Sequence, residues 1–503
     1  MRGDRVRHQN TRLPIHYDAR QGVPVGNQSL LERIADDGET ASHPYDVIET
    51  DGGLKIGPVR QSLRRASGFG LLLESMVTLF KWMVFMRARR MCLPIAVVFF
   101  SSFCTGDALP RAKPEDAGMS TAGLQRLNDV MQVHIDAGDI QGAVTAVARF
   151  GKVVHFEAHG MLDVENQILM PKDAIFRMAS STKPVLGVAA MMMIDQGLMQ
   201  AVDPVSRYIP EFRDMQVAVL KEPADEDISP RYVRRGEVPE YRLVPAQREI
   251  TVHHLLTHTS GLVSNGLGAA VRERRRRDPE ETLSDVIPRL GSVPLDFHPG
   301  TRWSYSAGTG HNVVSRVIEI VADQPFDEFL RERLFEPLGM NDTYFNVPPD
   351  KEGRRVAIQG RDMSRWRGRG PTRYFSASGG LSSTAEDFLR FEQMLVNRGT
   401  LFGKRIISPG AVDMMSSNQV ADLYRGLYGN QEGAGFGYTV GVTLERDSAE
   451  PRRRPGAFGW GGAFGTRSWT DPALQLTAVI MLQQPHGATQ GDFERAVYEA
   501  VIE

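Results

Sequence analysis

The sequence predicts an α/β protein in which a helical region interrupts a domain built on a β-sheet. Two β-rich runs, at residues 143–150 and 152–158, flank Gly151 in the manner of a hairpin. Three more β-rich runs lie near the C-terminus, at residues 435–444, 456–469 and 476–482. Strands at both ends with helices between them imply an interrupted sheet, and we expect the helical subdomain over roughly residues 185–395.

The helices follow from caps and from apolar periodicity. Ser120 precedes a helix over residues 121–137, and an apolar run after Lys183 predicts a buried helix that Gly197 ends. Further helices are expected at residues 251–256, 312–322, 326–334, 385–396 and 493–501. Residues 213–248 are charged, contain prolines and have weak periodicity, so we expect a surface excursion there.

The composition is that of a soluble globular protein and excludes some classes of function. The chain has 503 residues, of which 41% are hydrophobic and 24% charged, with a net charge of −2. A near-neutral balance gives no electrostatic basis for binding nucleic acid. Both cysteines, Cys92 and Cys104, lie in the N-terminal region. The body therefore has no disulfide, no thiolate nucleophile and no cysteine metal site.

The first hundred residues differ from the rest of the chain. Residues 1–67 are polar, mixed in charge and without clear periodicity. The apolar stretch from Phe69 to Met86 contains Glu74 and Lys81, which makes it a poor membrane span.

Residues 86–108 have the pattern of a secretory signal. A basic start precedes a short apolar core and then small residues suited to a cleavage site. We therefore expect a periplasmic or secreted protein, with a true start near Met86 and residues 1–85 as an extension that need not fold. The alternative is a cytosolic tail with an uncleaved anchor, in which residues 69–104 associate with a membrane.

Ser180 and Lys183 are the first candidates for chemistry. A serine and a lysine three residues apart share one face of a helix. A serine hydroxyl is a poor nucleophile until a nearby group takes its proton, and burial lowers the pKa of a lysine so that it becomes able to do so. The same tetrapeptide also fits an ordinary helix start with a solvated lysine, so partner residues decide between the two interpretations.

Five ordered motifs together resemble the serine β-lactamase-related family of the class C type, which includes penicillin-binding proteins. They lie at residues 176–183, 255–262, 299–308, 335–340 and 459–466. The pattern is most similar to family VIII carboxylesterases, and the resemblance covers roughly residues 109–503. It implies a β-lactamase/transpeptidase-like fold, with an antiparallel sheet flanked by helices and an active site at the interface with the helical subdomain.

The resemblance also implies a role for each matching residue. Ser180 matches the acylated nucleophile, Lys183 the lysine that helps to deprotonate it, and Tyr305 the tyrosine that passes the proton to the leaving group. Substrate contacts are implied for Trp460, Gly461 and Gly462 of the cleft strand and for position 307. The backbone N–H groups of Ser180 and Ala463 match the oxyanion hole. A phenol beside an ammonium group ionises more easily, so we expect Tyr305 and Lys183 to share one proton.

Two departures from the lactamase pattern narrow the substrate. Ala307 stands where the family pattern has an asparagine that pairs with the substrate amide, and Trp460 stands where it has a lysine that attracts a carboxylate. An indole offers an apolar wall and one N–H donor. Both changes favour a neutral small-molecule ester, with weak β-lactamase activity at most.

Other chemistries lack their motifs. The chain has no complete Gly-x-Ser-x-Gly, no P-loop and no Gly-x-Gly-x-x-Gly, so no cofactor is expected. His253, His254 and His258 lie close together without a His-Glu-x-x-His pattern, and we interpret them as hydrogen-bonded helix-end residues rather than metal ligands.

The sequence therefore predicts a serine hydrolase, specifically a carboxylesterase. Three alternatives use the same fold: a β-lactamase, a D-aminopeptidase or an acyltransferase. A fourth is a penicillin-binding-like sensor without turnover, against which the intact set of Ser180, Lys183 and Tyr305 argues.

Overall fold

The computed structural model is built around an eight-stranded antiparallel sheet with the strand order β10-β11-β12-β13-β14-β1-β2-β3. The strands in chain order are β1 (Gly142–Arg149), β2 (Lys152–Asp163), β3 (Ile168–Leu169), β4 (Phe176–Arg177), β5 (Gln216–Leu220), β6 (Tyr241–Pro245), β7 (Ser382–Ser383), β8 (Thr400–Leu401), β9 (Lys404–Arg405), β10 (Ala434–Phe436), β11 (Gly441–Thr443), β12 (Phe458–Gly461), β13 (Arg467–Asp471) and β14 (Leu476–Met481). Pairing of β1 with β14 joins the two ends of the body, as predicted.

The structure describes residues 108–222, 238–273, 277–358, 371–424, 433–445 and 453–502. The predictions for the N-terminal extension, the signal segment and the anchor fall outside these residues. Among the described helices, none is both long and apolar enough to cross a membrane.

Helices cover both faces of the sheet. In chain order they are α1 (Thr121–Asp136), α2 (Lys183–Asp195), α3 (Val252–Leu256), α4 (Leu267–Val271), α5 (Leu283–Val286), α6 (Gly310–Ala322), α7 (Phe326–Leu330), α8 (Glu336–Leu338), α9 (Ala385–Val396), α10 (Pro409–Ser416) and α11 (Gly487–Glu499). A π-helical segment, Arg331–Phe335, joins α7 to α8. The terminal helices α1 and α11 pack together on one face, and α9 packs on the other.

The alternation of side chains along β14 separates two hydrophobic cores. Ala478 and Ile480 belong to the core under α1 and α11. Val479 and Met481 belong to the larger core that includes α2 and α9. Strand β14 is buried along its whole length because successive side chains of a strand point to opposite faces, and both faces here are covered. The predicted antiparallel sheet flanked by helices is confirmed.

Local predictions are also confirmed where a cap or a turn carries the signal. The side chain of Ser120 accepts a hydrogen bond from the N–H of Gly123 and caps α1. The hairpin between β1 and β2 turns at Phe150 and Gly151, whose φ angles are 50° and 75°. Positive φ at both central residues is the requirement of a two-residue type I′ hairpin turn.

Three regions differ from the sequence-based expectation, and one of them is the single run expected at 435–444, which forms the two paired strands β10 and β11. The surface excursion at residues 213–248 contains a paired ribbon of β5 and β6. Most side chains of this ribbon are exposed or half-buried, so its strands carry little of the apolar alternation that identifies a strand. The single β-rich run expected at 456–469 is two strands, β12 and β13, because the chain turns where Gly465 has a φ of 106°.

Candidate active site

A short 3₁₀ turn, Ala179–Thr182, presents Ser180 at the start of the buried helix α2. Ala179 has a φ of 44°, a conformation that residues with a Cβ seldom adopt. The first hydrogen bond of the turn runs from the N–H of Ser181 to the carbonyl of Met178, at 3.0 Å. The N–H of Ser180 comes before this bond, so the turn itself does not use it.

Thr466, the last residue of the motif at 459–466, binds this turn to the sheet, a role that the motif did not indicate. Its buried hydroxyl lies 2.9 Å from the Oγ of Ser181 and 3.1 Å from the carbonyl of Met178. Because Thr466 directly precedes β13, these contacts hold the nucleophile turn against the connection between β12 and β13. Only the fold brings these segments together, since nearly three hundred positions separate them.

Lys183 is completely buried, and its Nζ lies among three oxygen atoms. They are the Oγ of Ser180 at 3.1 Å, the carbonyl of Ala307 at 3.0 Å and the carbonyl of Ser378 at 2.6 Å. Burial lowers the pKa of Lys183 to about 7. A neutral amine has two N–H bonds and one lone pair, and carbonyls only accept. The two carbonyls therefore take the N–H bonds and leave the lone pair for the proton of Ser180.

Tyr305 approaches Ser180 from the opposite side. Its hydroxyl lies 2.8 Å from the Oγ of Ser180, and the indole N–H of Trp460 donates to the phenol oxygen at 3.3 Å. Burial raises the pKa of Tyr305 above its ordinary value, although both hydrogen bonds oppose that shift. The phenol is therefore harder to ionise than an ordinary tyrosine, contrary to the expectation from the nearby lysine, because desolvation outweighs the two hydrogen bonds that lower its pKa. Tyr305 is a protonated donor at neutral pH.

The cleft strand meets the nucleophile turn at Gly462, the residue after β12. A Cβ at Gly462 would lie 2.2 Å from the carbonyl oxygen of Met178, so this approach requires glycine. Gly462 donates to the carbonyl of Thr466 and accepts from the N–H of Gly465, at 2.7 and 3.0 Å. The exposed Ala463 lies inside this turn, beside the segment that carries Ser180. These are the two segments expected to supply the oxyanion donors.

The two other positions predicted to contact substrate, Ala307 and Gly461, do not hydrogen-bond to Ser180 through their side chains. The side chain of Ala307 is exposed, and its backbone carbonyl accepts from Lys183, so this residue contributes to the site through its main chain. Gly461 pairs with Arg467 within the sheet. The structure thus brings Ser180, Lys183, Tyr305 and Trp460 into direct contact, with Ala307 and Gly462 at the edges of that group.

An aromatic cluster lies behind Tyr305 and Trp460. Its buried members are Trp303, Tyr424 and Phe436, and their rings pack at centroid distances of 4.8–5.4 Å. None of these side chains carries a charge at neutral pH, because burial raises the pKa of Tyr424 to about 12. This side of the cleft is therefore apolar and neutral.

The three histidines of the sequence analysis make hydrogen bonds, as interpreted. His254 forms a capping box with Thr251, His253 contacts the hydroxyl of Tyr438, and the Nδ1 of His258 accepts from the N–H of Ser306. One ring nitrogen of each histidine thus bonds to a helix end or a loop.

Another histidine cluster, His134 with Asp139 and His486, has donor atoms close enough for a metal ion. The Nδ1 of His486 accepts from the N–H of Thr489 at the start of α11, so its Nε2 carries the proton and faces Asp139. That nitrogen offers no lone pair, and the contacts of His134 with Asp139 and Asp492 at 2.8 and 3.1 Å fit hydrogen bonding better than metal ligation.

The chain is similar to known proteins along most of the region that the structure describes. A family model described as Beta-lactamase matches residues 127–501. Protein Rv1367c of Mycobacterium tuberculosis is 33% identical over 365 residues, which cover 69% of this chain and 87% of the relative. Esterase EstB of Burkholderia gladioli is 28% identical over 406 residues, which cover 75% of this chain and 94% of that esterase.

A solved structure of a family VIII carboxylesterase superposes with a TM-score of 0.59 at 18% identity. It covers 76% of this chain and 99% of that chain. The likeness confirms the predicted fold, an antiparallel sheet with flanking helices.

Proposed function

Because this chain belongs to the beta-lactamase family, we propose that it is a serine hydrolase that cleaves neutral carboxylic esters through an acyl-enzyme on Ser180. One observation carries the proposal. The Oγ of Ser180 lies between a buried lysine amine at 3.1 Å and a protonated phenol at 2.8 Å. A base on one side and an acid on the other are the two groups that acyl transfer needs.

Acylation begins when the Oγ of Ser180 bonds to the ester carbonyl carbon and its proton moves to the lone pair of Lys183. The carbonyl oxygen becomes an oxyanion, for which the backbone N–H groups of Ser180 and Ala463 are the proposed donors. The bond between carbon and the alcohol oxygen then breaks, and the phenol of Tyr305 protonates the departing alkoxide. The proton held by Lys183 restores Tyr305, so the step releases a neutral alcohol.

Deacylation repeats these transfers with water in place of the alcohol. A water molecule gives its proton to the base, its oxygen bonds to the acyl carbon, and Ser180 leaves with a proton restored. An acceptor alcohol in place of water would give acyl transfer, the chemistry of the acyltransferase alternative.

The contacts of Trp460 support an ester rather than a β-lactam or a D-amino-acid peptide. Its single N–H donates to Tyr305, and position 307 carries a methyl group. The cleft therefore has neither a cation at position 460 for a carboxylate nor a side-chain amide at position 307. Esterase EstB carries its activity in its name, which supports the same assignment.

Steady-state kinetics with two chromogenic substrates test the proposal. We expect p-nitrophenyl butyrate to be hydrolysed much faster than nitrocefin, and Ser180→Ala to abolish both reactions while leaving the fold intact. Ser416→Ala is the matched control and keeps full activity, because the hydroxyl of this half-buried serine donates to the carbonyl of Val412 within α10. Faster turnover of nitrocefin than of the ester would favour a β-lactamase. Absence of turnover and of an acyl adduct by mass spectrometry would favour a sensor.

We also propose that residues 86–108 direct export to the periplasm or the medium. The support is the sequence pattern alone, a basic start followed by a short apolar core. N-terminal sequencing of the protein from its natural host should find Leu109 or a neighbouring residue first, and an intact Met1 would contradict export with cleavage.

A further inference from the structure

We propose that His258 is a positioning residue for Tyr305, the proton donor of the proposed reaction. His258 does not touch Ser180, so its contribution is to the placement of the phenol. The inference rests on the proposed function, because it concerns the delivery of a proton to the leaving alcohol.

His258 holds the chain on both sides of Tyr305. Its carbonyl accepts from the N–H of Ser304 at 3.0 Å, and its Nδ1 accepts from the N–H of Ser306 at 3.3 Å. Its ring packs edge-on against the ring of Tyr305, with centroids 4.6 Å apart. One residue thus restrains the backbone before Tyr305, the backbone after it and the ring itself.

The backbone of His258 suits this arrangement. It follows the end of α3 with a φ of 59°, in the left-handed region that reverses the chain. The side chain is 1% exposed and is packed on its other side by the ring of His311, at a centroid distance of 4.4 Å. A left-handed, fully buried histidine is costly unless the surroundings require it, which points to a functional constraint.

The hydrogen bonds also define the chemical state of the ring. Accepting from Ser306 requires a lone pair on Nδ1, so the neutral ring carries its proton on Nε2. Burial, the neighbouring His311 and the charge of Lys183 all hold the pKa of His258 well below its usual value. His258 therefore keeps its acceptor across the working pH range, and protonation would replace the acceptor with a donor.

Leaving-group dependence separates this role from a merely structural one. Compare His258→Leu with His258→Asn on a series of butyrate esters from p-nitrophenyl to ethyl. Leucine removes the acceptor for Ser306, whereas the Oδ1 of asparagine branches from Cγ as Nδ1 does and asparagine tolerates positive φ. We expect kcat of His258→Leu to fall by about 10²-fold on the ethyl ester, because a displaced donor transfers a proton poorly.

The loss should be several-fold smaller on the p-nitrophenyl ester, whose leaving group needs little protonation, with KM nearly unchanged in both cases. His258→Asn should recover most of the activity. His258→Leu added to Tyr305→Phe should cost almost nothing further, since both changes remove the same proton transfer. If His258→Leu does not fold, His258→Gln, which shifts the acceptor by one bond, should show the same leaving-group dependence.

Three results would overturn the proposal: an equal loss on aryl and alkyl esters, full additivity with Tyr305→Phe, or no recovery in His258→Asn. His254→Ala is the matched control, because it removes a buried histidine of the same segment whose Nδ1 bonds to Thr251 at the start of α3. A Tyr305→Phe variant without leaving-group dependence would instead refute the proposed role of Tyr305, and inactive wild type would refute the proposed function itself.

Discussion

The start of α2 and the middle of α9 each bury one ionisable side chain completely, with opposite consequences for the protein. Burial lowers the pKa of Lys183 from 10.5 to about 7 and raises the pKa of Glu392 from 4.5 to about 7. The physical cause is the same, since desolvation disfavours the charged form of either group. What differs is the set of atoms that each side chain contacts.

Two partners of Lys183, Ser180 and Ala307, border the cleft, whereas the hydroxyl partners of Glu392 do not. The Oγ of Ser180 is half-buried at the cleft, whereas the carboxylate of Glu392 accepts from the hydroxyls of Ser468 and Thr470, both at 2.6 Å, beneath strand β13. All of these hydroxyl partners of Glu392 are buried in the core. A buried group with a neutral pKa therefore serves catalysis only where one of its partners meets substrate, and elsewhere it makes stability depend on pH.

The largest expected effect is the loss of ester hydrolysis when Lys183 is replaced with Met. We expect kcat/KM for p-nitrophenyl butyrate to fall by about 10²–10⁴-fold, the usual contribution of a general base. The free energy of unfolding should stay equal or rise, because methionine fills the space without a buried amine. Lys172→Met, on the surface, is the control that keeps activity. Activity within tenfold of wild type would mean that another group takes the proton of Ser180.

The pH dependence of activity is a second test of the catalytic role of Lys183. Lys183 must be deprotonated to act as a base, so kcat/KM should fall about tenfold for each pH unit below about 7 and level off above it. The raised pKa of Tyr305 keeps the phenol protonated, so no second decline is expected up to about pH 9. A rate profile that is flat through neutral pH would contradict this assignment of Lys183.

Replacing Glu392 with Gln tests whether this buried carboxyl group makes the stability of the protein depend on pH. The carboxyl group is harder to ionise in the folded chain than in the unfolded one, so the free energy of unfolding should fall as pH rises from 4.5 to about 7. Glu392→Gln should remove about 1–3 kcal/mol of that decline, as measured by denaturant unfolding across this range. Ester hydrolysis should be unchanged. A large loss of activity would mean that Glu392, like Lys183, contributes to catalysis.

Glu386→Gln is the control for that measurement, because Glu386 is an exposed carboxylate of the same helix. Its variant should follow the pH dependence of wild type.

The smallest expected effect concerns Trp460. Trp460→Phe keeps an aromatic wall and removes the N–H that donates to Tyr305. The loss of one such hydrogen bond should lower kcat by about 2–10-fold, corresponding to about 0.5–1.5 kcal/mol. A change confined to KM would assign the indole to substrate binding instead of to the orientation of Tyr305.

Much of the fold was predictable because its signals are local. The cap at Ser120, the hairpin at Gly151 and the apolar run after Lys183 each lie within a few residues of the structure that they specify. The ribbon of β5 and β6 was missed because it has no consistently buried face. The turn between β12 and β13 was missed because its glycine lies within an aromatic, β-rich run.

The candidate site also contains some residues that local sequence predicts and others that it does not. The spacing of Ser180 and Lys183 predicts a shared helix face, and the motif around Tyr305 indicates its partner. Ser378 gave no such signal, and the motifs that contain His258 and Thr466 did not indicate their roles, because each of the three acts through a contact with a segment distant in the chain. The upward shift in the pKa of Tyr305 could not be predicted from the sequence either, since it depends on how deeply the phenol is buried.

The sequence by itself determined which groups are present: a serine and a lysine on one helical turn, a tyrosine, and an indole in place of a cation. Only the tertiary structure decided what they do to one another. Burial sets the pKa of Lys183, the carbonyls of Ala307 and Ser378 take its N–H bonds, and His258 and Trp460 hold Tyr305. Residue types define the possible chemistry, whereas desolvation and orientation arise only when distant segments pack together.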